Sequence, residues 1–230
     1  MPNRIFIALF VLFFFIGKNA SSQVFLNGNF EINAAFPCDF NMANATFTAE
    51  MANAVGYGPG QELDIMQSCG YGAPQNGTWF VGLASPSGLT DAFTMQLSTP
   101  LIAGNPYTIS FYDKGDPTYP PSLPIIIGVS AVPGAPGTTV YTGPAPTLGV
   151  WNVRVFGFIA PISGQYISVS TPGPTRWSHV DNFTLLNGLP LSVELVKSDV
   201  SCTGDAVVVS WTTATEINNE YFIIEKSTDG

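Results

Sequence analysis

Phe93-Thr94-Met95-Gln96-Leu97, then Pro100, the turn Gly104-Asn105-Pro106 and Tyr107-Thr108-Ile109-Ser110-Phe111-Tyr112 form the stretch on which the fold turns. Apolar and polar residues alternate with period two on both sides of the turn, the pattern of half-buried strands. In the second segment the odd positions face one side and the polar residues mostly the other. Outward from this pair, Thr78 to Ala84 is an apolar run bounded by Asn76-Gly77 and Ser85-Pro86. Ile125 to Val132 is continuously apolar, as in a strand covered on both faces. Trp151 to Ile159, Gly164 to Ser170 and His179 to Leu186 complete the set, while residues 42–54 hold one short helix candidate. Asp116 to Pro124 carries four prolines and cannot pair as a central strand, so it is read as a loop. Short strands at this spacing, with Gly and Pro between them, predict an all-β jelly-roll β-sandwich.

Composition agrees. The 230 residues include 23 Gly and 19 Pro, 46% are hydrophobic and only 10% charged. So few charges exclude a coiled coil, and the apolar fraction excludes a disordered acidic tail. A formal charge of −9 leaves no electrostatic basis for binding nucleic acid or anionic lipid.

Residues 1–22 read as a secretory signal peptide. Arg4 precedes an apolar run from Ile5 to Gly17, and Ala20-Ser21-Ser22 then offers small residues before a cut at Gln23. An uncleaved anchor is the rival reading, but a spanning helix wants about 20 apolar residues. Membrane contact is therefore expected only through the cleaved signal or through surface attachment. Export places Cys38, Cys69 and Cys202 in an oxidising compartment. A Cys38–Cys69 bridge is the expected pairing. Cys202 is left as a buried thiol or as a partner for a cysteine beyond residue 230.

Near Gly188-Leu189-Pro190 the texture changes. Leu191 to Cys202, Ala206 to Thr212 and Tyr221 to Lys226 are further strand candidates, rich in the β-branched residues strands favour. So short a stretch cannot close a sandwich of about 100 residues, and Ser227-Thr228-Asp229-Gly230 reads as a turn opening into another strand. The expected organisation is a signal (1–22), a jelly roll (23–187) and the start of a second domain (188–230) of a longer protein.

Two stretches carry resemblances. Leu189-Pro190-Leu191-Ser192-Val193-Glu194-Leu195 with Val209 to Gly230, including Ser210-Trp211-Thr212 and Glu216-Ile217-Asn218-Asn219-Glu220, resembles the fibronectin type III-like segment of secreted Bacteroidota proteins. That resemblance implies an immunoglobulin/fibronectin III-like β-sandwich and export by the type IX secretion machinery to the outer surface. Asn27-Gly28-Asn29-Phe30-Glu31 and Val180-Asp181-Asn182-Phe183-Thr184-Leu185 resemble the first and last strands of galactose-binding-like jelly rolls, a fold shared by carbohydrate-binding modules. There the terminal strands run together and an acidic residue from each helps hold a structural calcium ion. Glu31 and Asp181 would take those places, with backbone carbonyls completing the shell, since calcium needs six to eight oxygens. The alternative is that both carboxylates bond to turn amides.

No nucleophile elbow, metal-binding His pair or phosphate loop is present. His179, the single histidine, is read as a structural strand residue. Asp113 and Asp116, near Lys114 and the Pro-rich loop, offer an acidic pair for chemistry, against which a solvated loop is the commoner explanation. Aromatics offer the functional handle. Trp79 and Trp151 sit in apolar runs and are expected in the core, whereas Tyr57, Tyr71, Tyr119 and Trp177, with Arg176 beside the last, lie among Gly, Pro and polar residues. These five are the candidate ligand contacts, Trp177 first among them. The sequence thus predicts an exported, non-enzymatic protein binding extracellular carbohydrate or a surface protein. A structural or adhesive module, or the accessory region of a longer hydrolase, are the alternatives.

Overall fold

A computed structural model describes residues 23–85, 88–173, 175–186, 195–203 and 206–213. The predicted signal, the turn at 214–220 and the strand candidate at 221–226 lie outside them. Among the described residues no helix is long and apolar enough to cross a membrane.

Residues 23–186 form one compact unit built from two antiparallel sheets. In chain order the elements are β1 (Cys38–Met42), α1 (Asn44–Glu50), β2 (Ala54–Gly56), β3 (Leu63–Met66), β4 (Phe80–Ser85), β5 (Ala92–Leu101), β6 (Pro106–Gly115), β7 (Ile126–Ser130), β8 (Thr138–Thr142), β9 (Asn152–Ile159), β10 (Gly164–Ser170) and β11 (Thr175–Leu185). One sheet has the order β1-β3-β4-β11-β6-β9 and the other β2-β5-β10-β7-β8. This is the jelly-roll β-sandwich the alternation predicts, and β5 and β6 sit in different sheets on either side of the Gly104-Asn105 turn.

Between the sheets lies an aromatic-rich core. Phe111 stacks on Phe183 at 4.9 Å between centroids, and Phe93 meets Phe30 and Phe47 edge-on or tilted at 6.0 and 5.4 Å. The helix has 7 residues, about two turns, and its one buried side chain, Phe47, plugs this cluster. β6 shows the predicted alternation, with Tyr107, Ile109 and Phe111 buried in the core. β11 changes parity midway. Val180 faces the core, Asn182 adopts φ 52° in a register shift between Asp181 and Thr184, and Phe183 and Leu185 then take the core positions. An inserted residue in a bulge flips the side chains that follow it, and Asn tolerates the left-handed backbone this needs.

Several expectations are corrected here. The Asn27–Glu31 segment forms no strand; it is a turn flanked by the isolated bridges Phe25↔Leu97 and Asn33↔Met51. It still runs beside β11, because Gly28 accepts the Phe183 N–H at 2.8 Å and a Cβ at Gly28 would collide with the Phe183 carbonyl. The region around Cys38 and Cys69, which shows few strand signals, contains β1, β2 and β3. Trp79 packs against the core as expected, but Trp151 does not: it stands edge-on to Phe80 outside the sandwich. Asp113 and Lys114 belong to β6 and, with Asp116, are buried rather than solvated.

A separate unit contains β12 (Leu195–Thr203) and β13 (Ala206–Thr213), an antiparallel hairpin paired from Leu195↔Thr213 to Thr203↔Ala206. These are two of the three strand candidates predicted after Gly188.

Candidate functional site

One cross-strand rung organises the outer face of the six-stranded sheet. Asp64 on β3 pairs with Gly82 on β4, Gly82 with His179 on β11, and His179 with Lys114 on β6. Their chain neighbours Leu63, Ile65, Val81, Leu83 and Val180 fill the core, so the period-two rule turns these four residues to the opposite face. Gly82 has no side chain, and a Cβ there would stand 3.2 Å from the Asp64 carboxylate. The missing side chain lets Met66 and Asp64 pack closely over β4.

Two loops wall this floor. The loop at 67–79 is fixed at many points. Cys69 is bridged to Cys38, the expected disulfide. Lys114 Nζ donates to the Tyr71 carbonyl at 2.8 Å, and Trp151 Nε1 to the Ala73 carbonyl at 2.9 Å. Asp181 Oδ2 accepts the N–H groups of Gln75 and Asn76, while Glu31 Oε1 accepts those of Thr78 and Trp79. The second wall, the proline-rich loop after β6, hangs from Trp177, whose carbonyl accepts the Asp116 N–H and the Ser122 hydroxyl. Asp116 Oδ1 accepts the Thr118 N–H at 2.7 Å, which shapes the turn carrying Tyr119.

The result is a cleft of about 380 Å³ lined by Phe40, Asn41, Glu62, Asp64, Tyr71, Ala84, Asp116, Tyr119, Trp177 and His179. Three of the five predicted ligand contacts, Trp177, Tyr71 and Tyr119, therefore meet in one place. Phe40 joins them, edge-on to Tyr71 at 5.7 Å. Tyr57 does not: it follows β2 in the other sheet, where it is half-buried and its hydroxyl is raised by burial. Arg176 lies in β11, and its side chain is outside the described residues.

At the floor, burial dominates the electrostatics. Asp64 is 4% exposed, and its carboxyl is pushed up to about 8, first by burial and further by Asp91, Glu62 and Asp116, despite accepting the Asn41 N–H. Burial also lifts Asp91, behind it, to about 6, although it accepts the Glu62 and Ala84 amides. His179 is held neutral, lowered to about 3 by burial and then by Lys114. Lys114, packed between the rings of Phe80 and Trp151 at 4.6 and 4.4 Å, is lowered to about 8 by burial. Asp113, also raised by burial, is offset by its ion pair with Arg154 at 2.8 Å. Two atoms at the floor have no hydrogen-bond partner, Asp116 Oδ2 and His179 Nδ1.

The sign of the pH dependence follows. Asp64, Asp91 and Asp181 hold their protons more tightly folded than unfolded, so their contribution is complete below about pH 4 and is lost as pH rises through about 6, 7 and 8. His179 acts oppositely only below about 6.5, and Lys114 only near 8 and above. Stability should therefore fall by about 2 kcal/mol between pH 6.5 and 7.5, roughly 5 °C in Tm for a domain of this size. Thermal melts across this window check it, and Asp64→Asn should flatten the slope.

Sequence reasoning missed Phe40, Glu62 and Asp64. Leu63-Asp64-Ile65 carries a readable signal, a carboxylate between two apolar strand residues, but a four-residue strand is too short to stand out by periodicity.

No family model matches the sequence, and no curated protein matches it. Solved structures with a similar fold include TmCBM61 in complex with beta-1,4-galactotriose, at 17% identity over 59% of this chain and 88% of that one, with a TM-score of 0.40. Another is the K1 cleaved adhesin domain of Lys-gingipain from Porphyromonas gingivalis W83, at 12% identity over 58% and 90%, with a TM-score of 0.45. A third is the C-terminal family 22 carbohydrate binding module of Clostridium thermocellum Xyn10B, at 13% identity over 70% and 94%, with a TM-score of 0.41.

Proposed function

We propose that this chain is a non-enzymatic extracellular binding protein whose jelly roll takes a carbohydrate in the cleft over β3, β4 and β11. The observation that carries this reading is the convergence of Phe40, Tyr71, Tyr119 and Trp177, from four separate segments, above hydrogen-bonding groups at the floor. Sugar rings present apolar C–H faces that pack on aromatic rings and hydroxyls that bond to carboxylates, imidazole and amides. A largely pre-formed cleft with apolar walls and a few polar groups suits such a ligand. His179 is 1% exposed and neutral, which supports a positioning role over proton transfer. Affinity electrophoresis of the purified protein through gels containing cellulose-, xylan-, galactan- and chitosan-type polysaccharides tests the reading. Retardation by at least one is expected, and free migration through all of them overturns it.

The disulfide supports export, since such bridges persist in oxidising compartments. Residues 1–22 would direct it, with type IX secretion and a fibronectin type III-like domain after residue 188 as the finer part of the proposal. An adhesive role has its own observation: Val153, Val155 and Ile159 expose an apolar row on the edge strand β9, a feature that suits protein contact.

Calcium belongs to the same proposal. Glu31 and Asp181 are near enough that the Glu31 charge, after burial, helps push the Asp181 carboxyl up to about 7. A divalent cation relieves both terms, so the pair fits one through Glu31 Oε2, which lies beyond the oxygen that holds the loop amides, and through the second lone pair of Asp181 Oδ1, which also accepts the Asn182 N–H at 2.6 Å. Among the described residues no three Cys, His, Asp or Glu side chains converge, so backbone carbonyls would complete the shell. The ion would brace the Tyr71 loop against β11. Excess chelator should lower Tm by several degrees and added calcium should restore it; an unchanged Tm means the loop amides alone satisfy these carboxylates.

A further inference from the structure

The charges at the cleft are of one sign. Its lining includes the carboxyls of Glu62 and Asp116 and that of Asp64, which burial keeps protonated, with no Lys or Arg among the described residues. Asp116 is fully buried, and its Oδ2 has no hydrogen-bond partner. His179 Nε2 is 3.8 Å from that oxygen, beyond hydrogen-bond reach. Of the nearby cations, Arg154 pairs with Asp113, while Lys114, whose charge is felt by Asp116, gives its hydrogen bond to the Tyr71 carbonyl and leaves Asp116 Oδ2 without a donor. A buried carboxylate oxygen without a donor is costly, and the ligand must supply what the protein withholds.

An ammonium group supplies both a positive charge and N–H donors. The walls suit it too, because the faces of Trp and Tyr attract cations as well as sugar C–H groups. A uronate or sulfated sugar would instead place like charge against Asp116 and Glu62.

We infer that the cleft selects glycans carrying free amino groups, of the glucosamine-oligosaccharide type, over their N-acetylated counterparts and over acidic glycans. This rests on the sugar-binding reading above and names its substrate class. In the assigned arrangement the ammonium donates to Asp116 Oδ2 beneath the Tyr119 and Trp177 rings, and the sugar ring lies along Tyr71.

Isothermal titration of the purified protein at pH 6 tests it with glucosamine tetramer, N-acetylglucosamine tetramer, tetragalacturonate, cellohexaose, xylohexaose and trilysine. The glucosamine tetramer should bind at least about tenfold tighter than its N-acetylated form, as one desolvated charged hydrogen bond is worth that factor or more. Raising NaCl from 50 to 500 mM should weaken the glucosamine tetramer alone, a readout that needs no variant. Asp116→Asn should bring the affinities for the two tetramers together. Equal affinities, or tighter binding of the N-acetylated or galacturonate oligomer, overturn the inference. Binding of cellohexaose or xylohexaose without glucosamine tetramer overturns it and leaves the sugar cleft standing, whereas no binding of any oligosaccharide overturns both. Trilysine binding as tightly as glucosamine tetramer overturns the assignment to a sugar.

Discussion

Trp177→Ala should weaken oligosaccharide binding by about 30-fold, the cost of losing a central aromatic anchor of about 2 kcal/mol. The ring is half-buried and lines the cleft, while the backbone carbonyl of the same residue holds the Asp116 amide and the Ser122 hydroxyl. Alanine removes the ring and keeps the carbonyl, so the proline-rich loop stays anchored. Fold and function therefore separate: affinity collapses while Tm moves by only a few degrees. Trp177→Phe, which keeps a smaller apolar face, should fall between wild type and alanine. Unchanged affinity in Trp177→Ala, measured by titration calorimetry, would remove the ring from the site.

Breaking the disulfide has the second large effect, and it acts on both stability and binding. Cys38 and Cys69 are 31 residues apart, and a cross-link of that span removes about 3–4 kcal/mol of chain entropy from the unfolded state. A Cys38→Ser/Cys69→Ser variant should melt about 10 °C lower. Cys69 lies two residues before Tyr71 and adopts φ 45°, so the bridge also fixes where the ring-bearing loop leaves β3. Glycan affinity should drop with the cross-link even at temperatures where the variant is folded. Reduction of the wild-type protein provides the same comparison without mutation. A Tm that survives complete reduction, with full glycan binding, would contradict both roles.

The legible strands are those that alternate, or run apolar, for five residues or more, as β4 and β7 do for the second pattern. Phe93–Leu97 and Tyr107–Tyr112 lie inside β5 and β6 and place Phe93, Ile109 and Phe111 in the core. β3, at four residues, gives too few periods, and with it went Asp64 and the centre of the cleft floor. Burial of Asp113, Lys114 and Asp116 was unreadable for another reason. Charged residues beside a proline-rich loop are normally solvated, and only tertiary packing covers them here: Phe80, Trp151 and the Tyr71 carbonyl around Lys114, Arg154 against Asp113, and the Trp177 carbonyl on the Asp116 amide. Tyr71, Tyr119 and Trp177 were picked out by their polar, turn-rich surroundings. That they meet depends on the register His179↔Gly82↔Asp64, a long-range property that no local window contains. Tyr57, chosen on the same local grounds, is carried to the other sheet by β2.

The central claim is that sugar occupies the outer face of the six-stranded sheet. The most direct measurement is a ¹H–¹⁵N correlation spectrum of the purified protein, recorded as the tightest binder among glucosamine tetramer, cellohexaose and xylohexaose is added. The Trp177 indole N–H and the backbone amides of residues 62–64 and 116–119 should shift with one common Kd. Residues of β2, β5, β10, β7 and β8 should stay in place. Shifts confined to that second sheet, or a saturating titration that leaves the Trp177 indole unmoved, would contradict it.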